Sequence, residues 1–89
     1  MSYLEKVQEK LISVFHRDLP GSRVHFTSAG WQAPSSILAH VESPQFVGLN
    51  QARRQAIVWK SILENLDPME QRRIDFIYTS APSETTSDG

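Results

Sequence analysis

Apolar residues recur every three or four positions at the start of the chain, and this spacing predicts an amphipathic helix. Ser2 and Glu5 have the spacing of a capping box, in which each side chain bonds an amide of the first turn. Asp18-Leu19-Pro20-Gly21 is typical of a turn, so the helix should end there. The positions predicted to face the core are Leu4, Val7, Leu11, Val14 and Phe15.

Three later segments alternate between apolar and polar residues, which is the pattern of half-buried strands. The first segment covers 23–27, and its Val24 and Phe26 share a face. The second segment covers 36–42. The connection between these two strands should fold them back so that they pair with each other. The third covers 73–79, and we expect Ile74, Phe76 and Tyr78 on one face, with Phe76 in the core. Its direction relative to its neighbour stays open.

A long helical pattern begins near position 49 or 50 and ends at Asp67-Pro68, where proline stops the helix. Trp59 belongs to its apolar stripe, so we expect this ring in the core. Arg53, Arg54 and Lys60 fall outside the stripe and should face solvent. The stripe consists of Leu49, Ala52, Ala56, Trp59, Leu63 and Leu66.

The element order α-β-β-α-β predicts an α+β fold in which helices cover one face of a small three-stranded sheet. A chain of 89 residues supports one modest core, so we expect a single domain at 1–79. Residues 80–89 contain no large apolar side chain and are rich in Ser, Thr, Pro, Glu and Asp. This composition predicts a flexible tail.

Composition narrows the function further. Without cysteine the chain has no disulfide, thiolate metal ligand or thiol nucleophile. Neither a Ser-His-Asp arrangement nor a glycine-rich phosphate loop is recognisable, so we expect a protein that is not an enzyme and holds no cofactor. The charged start at Glu5 and Lys6 is unlike a signal peptide, and no apolar run is long enough to span a membrane, which favours a cytoplasmic protein.

Five basic residues form the main candidate contact surface, although the formal net charge is −1. Guanidinium groups bind phosphates and carboxylates bidentately, so these residues, gathered on one surface, would hold a nucleic-acid backbone or an acidic partner. Interleaved Asp and Glu residues make a solvated face of mixed charge the alternative. The candidate residues are Arg53, Arg54, Lys60, Arg72 and Arg73.

Two further candidates are a tryptophan and a histidine pair. Trp31 lies in the loop between the first two strands, where it is either a lid over a small cluster or an exposed anchor for a partner. His25 and His40 come close if their strands pair, but two imidazoles without a third ligand make an incomplete metal site. We therefore expect no bound metal.

The second half of the chain resembles the BolA family. Phe46-Val47-Gly48-Leu49 is similar to its Phe-x-Gly segment, 54–59 to its Arg-His-x-x-Val-Tyr stretch, and 77–84 to its closing strand and Thr-x-x-Pro-x-Glu ending. This resemblance implies a relative of the class II KH domain, with helices on one side of a three-stranded mixed sheet. It also implies a non-enzymatic family associated with monothiol glutaredoxins, shared [2Fe-2S] clusters and, in some members, DNA binding.

The chain departs from that family at two positions. Gln55 stands where the family has histidine, and Arg73 stands where the family has its strand-entry histidine, a usual cluster ligand. Because arginine presents no lone pair to iron, we expect no cluster binding at Arg73. The leading hypothesis is a BolA-like binding or regulatory module that contacts nucleic acid or protein through the basic surface. The alternative is a protein-interaction adaptor that uses the Trp31 loop and a sheet edge.

Overall fold

The computed structural model describes residues 2–27 and 36–82. It shows a small α+β fold in the predicted order, with a three-stranded mixed sheet and helices packed on one of its faces. None of the described helices is long and apolar enough to cross a membrane. The elements are α1 (Tyr3–Asp18), β1 (Arg23–Thr27), β2 (Ile37–Glu42), a 3-10 helix (Pro44–Phe46), α2 (Gln51–Asn65), α3 (Pro68–Gln71) and β3 (Ile74–Ser80).

Helix α1 forms as its sequence predicts. The Ser2 hydroxyl accepts from the Glu5 amide at 3.1 Å, and the Glu5 carboxylate accepts from the Ser2 amide at 3.0 Å, which completes the capping box. Gly21 adopts a φ of +83° just beyond the helix, a backbone conformation that residues other than glycine rarely adopt. The predicted core positions from Val7 to Phe15 are buried, and Leu4 packs at the margin.

The sheet has β2 in the middle. β1 pairs with it antiparallel, and β3 pairs with it parallel, which settles the direction that the sequence left open. Ile37, Ala39 and Val41 are buried under the helices, as their alternation predicts. Val24 and Phe26 of β1 pack against the same core from its margin.

The predicted faces of β3 are wrong because the strand contains an irregularity. Ile74 lies opposite Ile37, but Phe76 lies opposite Leu38, so Asp75 is an extra residue without a partner in the register. The extra residue reverses the alternation, which places Ile77 in the core with no exposed surface. Phe76 was expected in the core and is instead 45% exposed.

The predicted inward stripe of α2 is also wrong. Its buried face consists of Arg54, Val58, Ser61 and Ile62, whereas Leu63 is 61% exposed. Arginine and serine interrupt the apolar pattern of the true inward face, so a stripe drawn through the apolar residues alone is rotated away from it. Trp59 packs at the edge of the core and is only half-buried. From the predicted stripe, Leu66 is fully confirmed as buried.

The connection from α2 to β3 contains a short helix that the sequence pattern did not predict. Asp67 caps α3 and forms a capping box with Glu70. Pro68 occupies the first turn, where a backbone N–H would have no partner within the helix, so the missing N–H of proline removes no hydrogen bond. β3 continues through Ser80, one residue past the predicted end, and Ala81 is buried as well. Residues 83–89 of the predicted tail lie outside the described ranges.

Candidate binding surface

The basic residues occupy different environments. Arg53 is exposed near the start of α2, and Lys60 lines a cleft beside the end of α1. Arg72 and Arg73 line a separate concavity of about 250 Å³ together with Met69. The structure therefore brings Arg72 and Arg73 together and leaves Lys60 in another depression.

The predicted solvent exposure of Arg54 is wrong. Arg54 is only 4% exposed, and its guanidinium carbon lies 6.0 Å from the centroid of the Phe46 ring, which is itself buried. The long aliphatic stem of arginine fills core space, and its cationic group interacts with the aromatic face. Arg54 therefore belongs to the packing between α2 and the 3-10 helix and is inaccessible to a macromolecular partner.

Arg73 also has a partner within the chain. Its guanidinium carbon lies 5.5 Å from the centroid of the Tyr3 ring, at the start of α1. This contact joins the start of α1 to the residue that precedes β3. Trp31, the remaining sequence candidate, lies outside the described residues.

The cleft that Lys60 lines has a volume of about 620 Å³ and is balanced in charge. Arg17 and Lys60 contribute two positive charges, while Asp18 and Glu64 contribute two negative ones. Arg17 Nε donates to Asp18 Oδ1 at 2.8 Å, and Ser61 Oγ donates to Asp18 Oδ2 at 2.8 Å. These hydrogen bonds, that of Arg17 above all, lower the pKa of Asp18 below its ordinary value. Such a carboxylate stays ionised and is a poor proton donor.

The face of the sheet opposite the helices carries a second group of side chains. We call it the ring face and define it by His25, His40, Phe76 and Tyr78. His25 lies directly opposite His40, and His40 lies beside Tyr78, so three rings form a row across the three strands. The histidines thus come together as the sequence suggested.

The two aromatic rings of β3 are adjacent and accessible. Their centroids lie 4.7 Å apart with an interplanar angle of 67°, an edge-to-face contact. Phe76 is 45% exposed and Tyr78 is 53% exposed. His40 Nε2 lies 2.7 Å from Ser80 Oγ, a hydrogen bond that holds the central imidazole. The sequence did not predict that Phe76 and Tyr78 are exposed together. The extra residue at Asp75 reverses the faces of β3, and the alternation of apolar and polar residues gives no sign of it.

The remaining side chains of this face bring little net charge. Arg23 lies opposite Glu42 at one end, so their charges oppose each other, and Thr27 lies opposite Leu38 at the other end. Within the described residues, no group of three or more metal-binding side chains lies close enough together to hold a metal ion. The arrangement provides flat, partly apolar rings for contact.

Comparison with known proteins finds no match, either to a family model or to a curated protein.

Proposed function

We propose that this protein is a non-catalytic, BolA-like binding module that contacts single-stranded nucleic acid through the ring face. The observation that carries the proposal is the adjacent, half-exposed pair of Phe76 and Tyr78 on the sheet face that the described helices leave uncovered. Unpaired bases stack on exposed aromatic rings, and each stacked base contributes about 1–3 kcal/mol. The neighbouring imidazoles of His25 and His40 extend the flat surface across the sheet.

The proposal moves the contact surface away from the basic residues named from the sequence. Arg54 is buried, and Arg73 lies against Tyr3, so two of those five side chains are already engaged within the fold. Arg23 and Glu42 offset each other beside the rings. We therefore expect stacking to dominate and phosphate contacts to be few.

Titration of labelled oligothymidylate, followed by fluorescence anisotropy over a range of salt concentrations, tests this proposal. Each phosphate contact to a single strand adds about −0.7 to the slope of log affinity against log salt, so we expect a shallow slope. Phe76→Ala should weaken binding about tenfold, the equivalent of roughly 1.4 kcal/mol. Leu63→Ala removes an apolar side chain of α2 that is even more exposed than Phe76, and it is the matched control, which should bind like the wild type.

Two outcomes would contradict the proposal. A steep salt dependence, together with loss of binding in the double variant Arg53→Ala/Lys60→Ala, would return the contact surface to the basic residues. No binding of oligothymidylate even at low salt would exclude sequence-independent stacking of single-stranded DNA on the ring face. The second candidate function, a protein-interaction adaptor, would then be favoured by the low net charge of the same face, since protein interfaces are depleted of charge at their centre.

A further inference from the structure

The two outer edges of the sheet differ in their protection. At the β3 edge, Gln55 Nε2 donates to the carbonyl of Ile77 at 2.7 Å, and Gln51 Nε2 donates to that of Thr79 at 3.4 Å. The Thr79 hydroxyl donates back to Gln51 Oε1 at 2.8 Å. Helix α2 thus occupies the outward carbonyls of β3. At the other end of the sheet, the only strand that pairs with β1 among the described residues is β2.

The hydrogen bonds of β2 show which of its residues face each neighbour. The amide of Ile37 donates to the carbonyl of Arg73, just before β3, and the amide of Ser43 donates to the carbonyl of Ser80, at the end of β3. Successive residues of a strand point their backbone groups to opposite sides. The odd-numbered residues of β2 therefore bond β3, and the even-numbered residues bond β1.

The same reasoning applied to β1 identifies its outward groups. Arg23, His25 and Thr27 lie opposite the even-numbered residues of β2, so their backbone groups face β2. Val24 and Phe26 lie opposite odd-numbered residues, and they therefore point their N–H and C=O groups away from the sheet. Each chain presents two donors and two acceptors along this edge, with spacing suited to another strand.

We propose that β1 pairs antiparallel with β1 of a second copy of this chain, with His25 on the two-fold axis. In this register Val24 lies opposite Phe26 of the second copy. The backbone N–H of each residue then donates to the backbone C=O of the other. The symmetric pair repeats the arrangement, which gives four hydrogen bonds across the edge. The result is a continuous six-stranded sheet.

The side chains support a second copy as the occupant. Val24 and Phe26 are half-buried at the margin of the core, and pairing places each beside an apolar side chain of the other copy. Arg23 falls opposite Thr27 of the second copy, so no like charges of fixed sign meet in this register. The open faces of both sheets lie on the same side, which joins the two ring faces into one surface.

This association is independent of the proposed function, because it uses the strand edge and is measured without nucleic acid. A five-residue edge is small compared with the roughly 1,200–2,000 Å² that stable interfaces bury. We therefore expect a weak, concentration-dependent dimer that is populated at high protein concentration.

Sedimentation equilibrium of the full chain, with charge variants at position 25, tests the register. His25→Glu and His25→Lys each place like charges across the two-fold axis, and each should weaken dimerisation about tenfold or more. An equimolar mixture of the two variants should associate again, because opposite charges then meet. His16→Glu and His16→Lys, which change an exposed histidine of α1, are the matched controls and should dimerise like the wild type.

Amide hydrogen exchange of the wild type gives a second readout that needs no substitution. Exchange at Val24 and Phe26 should slow as protein concentration rises, while exchange at His25, already bonded to β2, should stay unchanged. A monomer at the highest concentration, dimerisation unaffected by both position-25 variants, or failure of the mixture to associate would each overturn the proposal. Concentration-independent exchange at Val24 and Phe26 would do the same.

Discussion

The two faces of the sheet carry side chains of different kinds. The centre of the covered face carries aliphatic residues such as Ile37, Val41 and Ile77, which are buried against the helices. The open face carries rings, and those of Phe76 and Tyr78 remain about half exposed. Because Phe76 and Ile77 are neighbours in the chain, one strand serves both faces. We therefore expect substitution of Ile77 to change mainly the stability, and substitution of Phe76 to change mainly the binding.

The largest expected effect is on the covered face. Ile77→Ala leaves a cavity in the core and should lower the free energy of unfolding by about 2–5 kcal/mol. Phe76→Ala should lower it by about 1 kcal/mol or less, since that ring is 45% exposed and contacts the Tyr78 ring at the surface. Urea denaturation of both variants measures the difference. Equal losses would show that the ring face is part of the core.

A second pair of neighbours sharpens the comparison on α2. Arg54→Ala removes a buried side chain packed near Phe46 and should cost about 1–3 kcal/mol. Arg53→Ala changes an exposed side chain and should stay within about 0.5 kcal/mol of the wild type. Thermal unfolding followed by circular dichroism compares the two. A harmless Arg54→Ala would contradict the placement of this arginine in the interior.

The smallest expected effect is at the cleft, away from both faces of the sheet. Because hydrogen bonds lower the pKa of Asp18 in the folded state, ionised Asp18 stabilises the fold above its unfolded pKa. That contribution is lost as the pH falls below about 4, through the lowered folded pKa. Ser61→Ala removes one of the hydrogen bonds and should reduce the stability difference between neutral and acid pH by roughly 1 kcal/mol or less.

Urea denaturation of the wild type and Ser61→Ala at both pH values measures this effect. Ser13→Ala changes an exposed serine of α1 and is the matched control. An identical pH dependence in Ser61→Ala and the wild type would show that the hydrogen bond to Asp18 has no part in acid stability.

The sequence predicted those elements whose inward side is uniformly apolar. Helix α1 and strand β2 bury the residues that their periodicity indicates, because no polar side chain interrupts the stripe from Val7 to Phe15 or the alternation from Ile37 to Val41. Helix α2 differs because its inward side includes Arg54 and Ser61. A stripe drawn through its apolar residues alone therefore selects a different side.

The candidate surface was harder to predict than the fold. One unpaired residue, Asp75, decides which side chains of β3 face outward, and its position depends on pairing with β2. The antiparallel pairing of β1 with β2 places His25 beside His40, which the alternation of those two strands did indicate. The dispersal of the basic residues depends on tertiary packing, since the spacing of Arg53 and Arg54 does not reveal that one of them is buried.

The central claim is that the ring face binds and the covered face stabilises. It is tested most directly by measuring oligothymidylate affinity and the urea midpoint on the same preparations of wild type and Phe76→Ala/Tyr78→Ala. We predict that the double variant keeps a cooperative unfolding transition near that of the wild type and loses at least about tenfold in affinity. Wild-type affinity in a double variant that remains folded would contradict the account.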